Sequence, residues 1–167
     1  MAVACSESFT ATSAPIQHAA VRAFQGGTDL DEYLFHSRRI LRALGVGVTE
    51  RLRGAGLFAP MPEGAFYVFP DFGSRSQALA ARGITTSLEL CERALADTGV
   101  AFLPGAAFGR DPRELTGRLA YVDFDGAGAL AASREAPDDQ ELDDAFLRRH
   151  CGQVLEAVDR LCGWIKG

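Results

Sequence analysis

Gly99-Val-Ala-Phe-Leu-Pro-Gly-Ala-Ala-Phe-Gly109, followed after a polar stretch by Arg118-Leu-Ala-Tyr-Val-Asp-Phe-Asp-Gly126, is the passage that decides the fold. Val100 to Leu103 is a short apolar run bounded by Gly and Pro and reads as a strand. Pro104 to Gly109 reads as a loop, because Pro and Gly at that density break regular structure. Arg118 to Phe124, rich in β-formers, reads as a second strand. The loop is neither a G-x-G-x-x-G fingerprint nor a P-loop, since no Gly-Lys-Ser/Thr follows. Asp123-Phe-Asp-Gly126 opens like a calcium loop but lacks the third acidic ligand and the closing Glu at the required spacing.

Upstream, Thr86-Ser-Leu-Glu89 has the capping-box pattern, with Thr86 as cap and Glu89 reaching back. Its helix is predicted to run to about Asp97 and stop at Gly99. Leu57 to Ala59 and Ala65 to Phe69 read as strands around the turn Pro60-Met-Pro-Glu-Gly64, with a possible short helix over Gln77 to Ala81. Before them, Leu30, Leu34, Leu41, Leu44, Val48 and Leu52 recur at helical spacing over a long helix beginning at Asp29. Gly45 and Gly47 interrupt that helix as possible bends. Ser13 and Pro15 mark an earlier helix start, with Ile16, Ala19, Ala20 and Phe24 on one face and Gly26-Gly27 as its end.

Downstream, Ala132 to Asp139 is polar, carries Pro137 and reads as a linker. A last helix is predicted from about Asp139, with Leu142, Phe146, Val154, Val158, Leu161 and Ile165 on its apolar face. The order implies an α/β fold of α+β-like character: a small mixed sheet covered by helices, with a long N-terminal helix.

The chain has 167 residues, 47% hydrophobic and 23% charged, with a formal net charge of −5. That composition suits a globular domain and carries no basic footprint for nucleic acid or an anionic membrane. No run approaches the ~18 apolar residues of a membrane helix. Cys5, Cys91, Cys151 and Cys162 lack metal-ligand spacing, so no metal site is expected. Cys91 and Cys162 fall on apolar stripes as core fillers in a reducing, cytoplasmic setting. His18, His36 and His150 belong to separate helices, with surface or helix-packing roles.

Four segments together resemble the class I/II, fold-type I aminotransferases, which depend on pyridoxal 5'-phosphate (PLP). They are Ser13-Ala-Pro-Ile-Gln-His-Ala-Ala20, Pro62-Glu-Gly-Ala-Phe-Tyr-Val68, Thr86-Ser-Leu-Glu-Leu-Cys-Glu92 and the passage from Gly99 to Gly126. The resemblance covers about Thr12 to Leu130. It implies the C-terminal small-domain portion of such an enzyme: residues 1–28 as a lead-in and helix that pack on a large domain, and 29–167 as the small domain with its connecting helix. It places the substrate-carboxylate arginine at Arg118, with Phe108 on the loop flanking the substrate. A guanidinium suits a planar carboxylate because two parallel N–H donors fix orientation as well as charge. The alternatives stay open: Arg118 as a strand-end arginine paired with a nearby Asp, Phe108 as a core aromatic, Tyr67 as a strand aromatic packing the sheet.

In the family PLP is held by a lysine upstream of the Ser-Ala-Pro-Ile-Gln segment. Here the one lysine is Lys166, next to the last residue, with no motif around it. A Schiff-base lysine needs a desolvated or cation-flanked amine, so no catalytic residue and no covalent PLP are expected of this chain. Two functions follow. One is part of a transaminase acting on an amino acid and a 2-oxo acid. The other is a non-enzymatic, truncated dimerisation or carboxylate-binding module. In both, the apolar faces near the N-terminus call for a second copy or a separate large domain.

Overall fold

The computed structural model describes residues 12–167. They fall into two compact units, one ending at Phe35 and one spanning His36–Gly167. Helix α1 (Ala14–Gln25) has Pro15 in its first turn, where the missing N–H removes no helical bond. Ser13 stands at the cap position without a side-chain bond; only its carbonyl engages, accepting from Gln17 N at 3.1 Å. Arg22 closes the other end, donating to the Gly26 carbonyl at 2.7 Å and pairing with Asp29. No residue of α1 is buried.

Helix α2 (Thr28–Gly54) is the long helix. Its buried stripe is narrower than the sequence pattern suggested: Ile40, Leu44, Val48 and Leu52 are buried, whereas Leu41 is only partly buried and Leu34 is exposed. Gly45 and Gly47 are points of close approach. A β-carbon on Gly45 would lie 3.0 Å from the Tyr121 hydroxyl and 3.1 Å from Pro62 Cγ; one on Gly47 would lie 3.2 Å from Leu147.

Strand β1 (Tyr67–Val68) precedes a 3-10 turn (Gly73–Arg75) and helix α3 (Ser76–Ala81). Helix α4 (Ser87–Thr98) starts with the expected capping box. Glu89 N donates to Thr86 Oγ1 at 3.3 Å, while Glu89 Oε2 accepts from Thr86 N at 2.9 Å and Thr85 N at 2.8 Å. These donors, the Thr85 backbone first, hold the Glu89 carboxyl below its ordinary range. Gly99 ends the helix in the left-handed region, φ 73°.

Strand β2 (Leu103–Pro104), a 3-10 turn (Gly105–Phe108) and strand β3 (Gly117–Ala120) complete the sheet, in the order β1-β3-β2. Tyr67 pairs with Ala120, Val68 with Leu119, Leu103 with Arg118 and Pro104 with Gly117. The α+β character matches the sequence reading, but every described pairing is antiparallel rather than mixed. Strands are also shorter than their apolar runs. Pro104 has no N–H to extend a ladder, and the expected strand at Leu57–Ala59 is reduced to a bridge between Phe58 and Asp71.

Helix α5 (Gly126–Glu135) occupies part of the expected linker. Its signal is Asp125, which caps by accepting from Gly128 N at 3.1 Å. Two glycines in the first turn and a weak apolar stripe hide it from a periodicity reading. Helix α6 (Asp144–Lys166) starts later than Asp139 because Asp143 caps it, accepting from Phe146 N at 2.8 Å. Arg39 keeps the preceding stretch out of the helix by donating to the carbonyls of Ser133, Ala136, Pro137 and Gln140. Leu142 is therefore buried ahead of the helix rather than on it. The helix is broken at Cys151, whose backbone leaves helical geometry (φ −129°, ψ 19°).

The core of the larger unit gathers the α2 stripe, Phe72 stacked on Phe102, Leu90 and Cys91 of α4, Leu119 and Tyr121, and the α6 stripe from Leu147 to Ile165. Cys91, Cys151 and Cys162 are buried free thiols. Burial pushes Cys91 up to about 12 and the other two up to about 11. Among the described residues no helix is long and apolar enough to cross a membrane. Cys5 lies outside the described residues.

Candidate functional site

Alternation along β3 sends Gly117, Leu119 and the following Tyr121 to the core, and Arg118 and Ala120 to the other face. Tyr67, opposite Ala120, shares that face and sits diagonal to Arg118, within reach of a long side chain. Phe108 closes the 3-10 turn that follows β2 and is capped by Gly109 at φ 79°. Because β3 is the central strand, the two rings reach Arg118 from opposite sides. The guanidinium carbon lies 4.3 Å from the Tyr67 ring centroid and 4.5 Å from that of Phe108. Phe69 backs Phe108 edge-on at 5.9 Å. Each cation–π contact is worth about 0.5–1 kcal/mol at a part-exposed site.

Arg118 is half-buried, and among the described residues it makes no hydrogen bond and no ion pair. Other arginines nearby in sequence are spoken for. Arg110 binds Glu114 at 2.5 Å and Arg113 binds Asp111 at 2.9 Å. The Arg113 guanidinium holds the Asp111 carboxyl down at about 2. Arg118 thus keeps its edge N–H donors available while aromatic rings hold its plane, an arrangement open to a planar anion arriving in line with the guanidinium.

Phe108 is not a core aromatic, being 41% exposed. Tyr67 is a strand aromatic of β1, exposed, with its ring against the guanidinium of the neighbouring strand's Arg118. The signal for Tyr67 was its alternation with the buried Val68, but only the strand register shows that it meets Arg118.

The remaining candidates do not join this face. His18 is exposed on α1, and His150 packs on Phe146 at 4.6 Å. His36 is buried, with Nδ1 3.0 Å from Ser133 Oγ. Ser133 is fully buried, which withholds it from any substrate. No cluster of His, Cys, Asp and Glu able to hold a metal occurs among the described residues. No lysine stands at this face to hold PLP: Lys166, the one lysine of the sequence, is exposed at the end of α6, outside the elements that build it.

No family model matches the chain. It is 35% identical over 121 residues to an aspartate/prephenate aminotransferase of Cereibacter sphaeroides, covering 71% of this chain and 29% of that protein. It is 35% identical over 117 residues to an aspartate aminotransferase of Rhizobium meliloti, covering 67% of this chain and 27% of that one. The fold superposes on an aromatic aminotransferase from Pyrococcus horikoshii with a TM-score of 0.60 at 24% identity, over 90% of this chain and 31% of that one. A second Pyrococcus protein superposes with a TM-score of 0.52 at 26% identity, over 90% of this chain and 30% of that one. The chain thus spans about three tenths of the length of the relatives it matches. By sequence and by fold the chain is similar to a portion of the aminotransferases it matches.

Proposed function

We propose that this chain supplies the carboxylate-binding part of an amino-acid transaminase, with Arg118 holding the substrate's α-carboxylate and Phe108 flanking the substrate. The observation that carries this is the unpaired guanidinium of Arg118 held between Tyr67 and Phe108. A charged group kept part-buried without a protein partner is costly unless something else completes it, and a carboxylate completes a guanidinium in plane. The relatives' names point to substrates with different side chains, aspartate, prephenate and aromatic amino acids, which share a carboxylate next to the reacting carbon. PLP serves that family, but no step through it is assigned to residues of this chain. The free buried thiols suit a reducing, cytoplasmic setting.

Titration of the full 167-residue chain with pyruvate, followed through the Phe108 ring resonances, which the parent chain and both Arg118 variants retain, tests the assignment. A saturable shift is expected, abolished in Arg118→Gln. In Arg118→Lys, pyruvate affinity falls by roughly tenfold or more, since hydrogen bonds to charged groups contribute about 1.5–3 kcal/mol. Equal affinity in Arg118→Gln, or no shift in the parent chain, would overturn it.

One observation favours the second reading, a non-catalytic dimerisation or carboxylate-binding module: the sole lysine stands apart from the Arg118 face. Both readings have the unit ending at Phe35 dock on a partner, a second copy or a separate large domain, because Ile16, Val21, Phe24, Tyr33 and Leu34 are exposed. A stable monomer at high micromolar concentration in sedimentation, together with no capture of an aminotransferase large domain, would remove that part of the proposal.

A further inference from the structure

The turn that carries Phe108 is fastened to β3 by a steric fit. Gly105 N donates to the Thr116 carbonyl at 2.8 Å, and Ala106 N donates to Ser87 Oγ at 3.4 Å. A β-carbon built on Gly105 would lie 2.0 Å from Thr116 Oγ1 and 3.2 Å from both Cβ and the carbonyl oxygen of Thr116. The Thr116 hydroxyl therefore occupies the space that any other residue at 105 would need. Thr116 is only 3% exposed, and its hydroxyl has no hydrogen-bond partner. A buried hydroxyl without a partner lowers stability, so nothing in its own bonding accounts for it. Its fit against Gly105 does.

The neighbours give this fit a consequence. Arg118 lies two residues beyond Thr116, and Phe108 lies at the far end of the short turn that Gly105 opens. Between Thr116 and Arg118, Gly117 admits the Phe102 ring, which would stand 2.5 Å from a β-carbon there. Backbone displacement at the 105–116 contact is thus passed to both partners of the Arg118–Phe108 stack, with little slack on the core side.

We infer that Gly105 and Thr116 are a positioning pair for the Arg118 site: the hydroxyl of one seated against the bare backbone of the other sets the Phe108 ring over the guanidinium. The inference rests on the carboxylate reading for its functional consequence, but the geometry can be read without any ligand.

The test is side-chain NMR on the full chain. Ring currents from Tyr67 and Phe108 displace the Arg118 δ-methylene and Nε–H resonances, and Phe108→Leu calibrates the part due to Phe108. In Gly105→Ala that part is lost. Thr116→Ala, which leaves the slot empty, gives a smaller loss. In the double variant Gly105→Ala/Thr116→Ala the new methyl takes the vacated space and the displacement recovers above that of Gly105→Ala alone. If Gly105→Ala fails to fold, the double variant still decides: its folding with the displacement restored supports the pair, and its failure to fold overturns it. Retention of the full displacement in Gly105→Ala, or a folded double variant no better than the single, also overturns it. Pyruvate titration of the same variants separates the two proposals. A chain whose Arg118 resonances follow this pattern while binding no pyruvate keeps the positioning pair and loses the carboxylate reading.

Discussion

Helices α1 and α6 carry apolar residues at the same spacing and have opposite fates. α6 buries Leu147, Cys151, Val154, Leu155, Val158, Leu161, Cys162 and Ile165, whereas α1 buries nothing and leaves Phe24 92% exposed. Fully burying one large apolar side chain contributes about 1.5–3 kcal/mol, so α6 is stabilised by its face and α1 is not. At 12 residues α1 is also at the lower edge of what survives as an isolated helix. It depends on local devices: Pro15 at its start, and Arg22 reaching Gly26 and Asp29 at its end. A helical repeat says which face is apolar. It does not say whether the same chain covers that face.

The largest expected effect tests that contrast directly. Leu161→Ala should cost about 2–5 kcal/mol by denaturant unfolding, because the site is fully buried. Phe24→Ala should stay within about 0.5 kcal/mol while weakening concentration-dependent self-association in sedimentation. A comparable loss at Phe24 would break the comparison. Next come two glycines of α2. Gly45→Ala forces a methyl against Tyr121 and Pro62 and should cost about 1–3 kcal/mol. Gly54→Ala, with nothing within 4 Å of the new β-carbon, should instead add up to about 1 kcal/mol of stability, read as a higher thermal midpoint. Thr86→Ala removes the cap of α4 and should cost about 1 kcal/mol.

The smallest effect is electrostatic. The Asp144 carboxyl is held below its ordinary range, first by Arg51 and then by Arg148. Its folded value is depressed, so its contribution is present above the ordinary carboxylate value and is lost as pH falls through the depressed one. The thermal midpoint of the parent chain should therefore drop below about pH 4, and Asp144→Asn should make that drop slightly shallower. Asp29, held down by Arg22, behaves in the same sense on the other unit. Asp29→Asn should leave the main unfolding transition unmoved if α1 contributes little to it.

What the amino-acid order determined alone was whatever depends on near neighbours. The capping box at Thr86, the stop at Gly99, the stripe Leu44-Val48-Leu52, the burial of Cys91 and Cys162 and the break in regular structure after Pro104 were all legible, because caps, turns and helical faces are settled within a few residues. Helix α5 escaped because Gly126 and Gly128 mask its periodicity, and the late start of α6 escaped because Arg39, distant in sequence, holds the carbonyls before it. The Arg118 motif was readable, but its state was not. No local rule shows that Arg118 has no ion pair among the described residues, that Tyr67 stacks on the guanidinium, or that Thr116 fills the side-chain space of Gly105. These depend on strand register and on contacts between residues far apart in the chain. Only the assembled sheet brings them to one place.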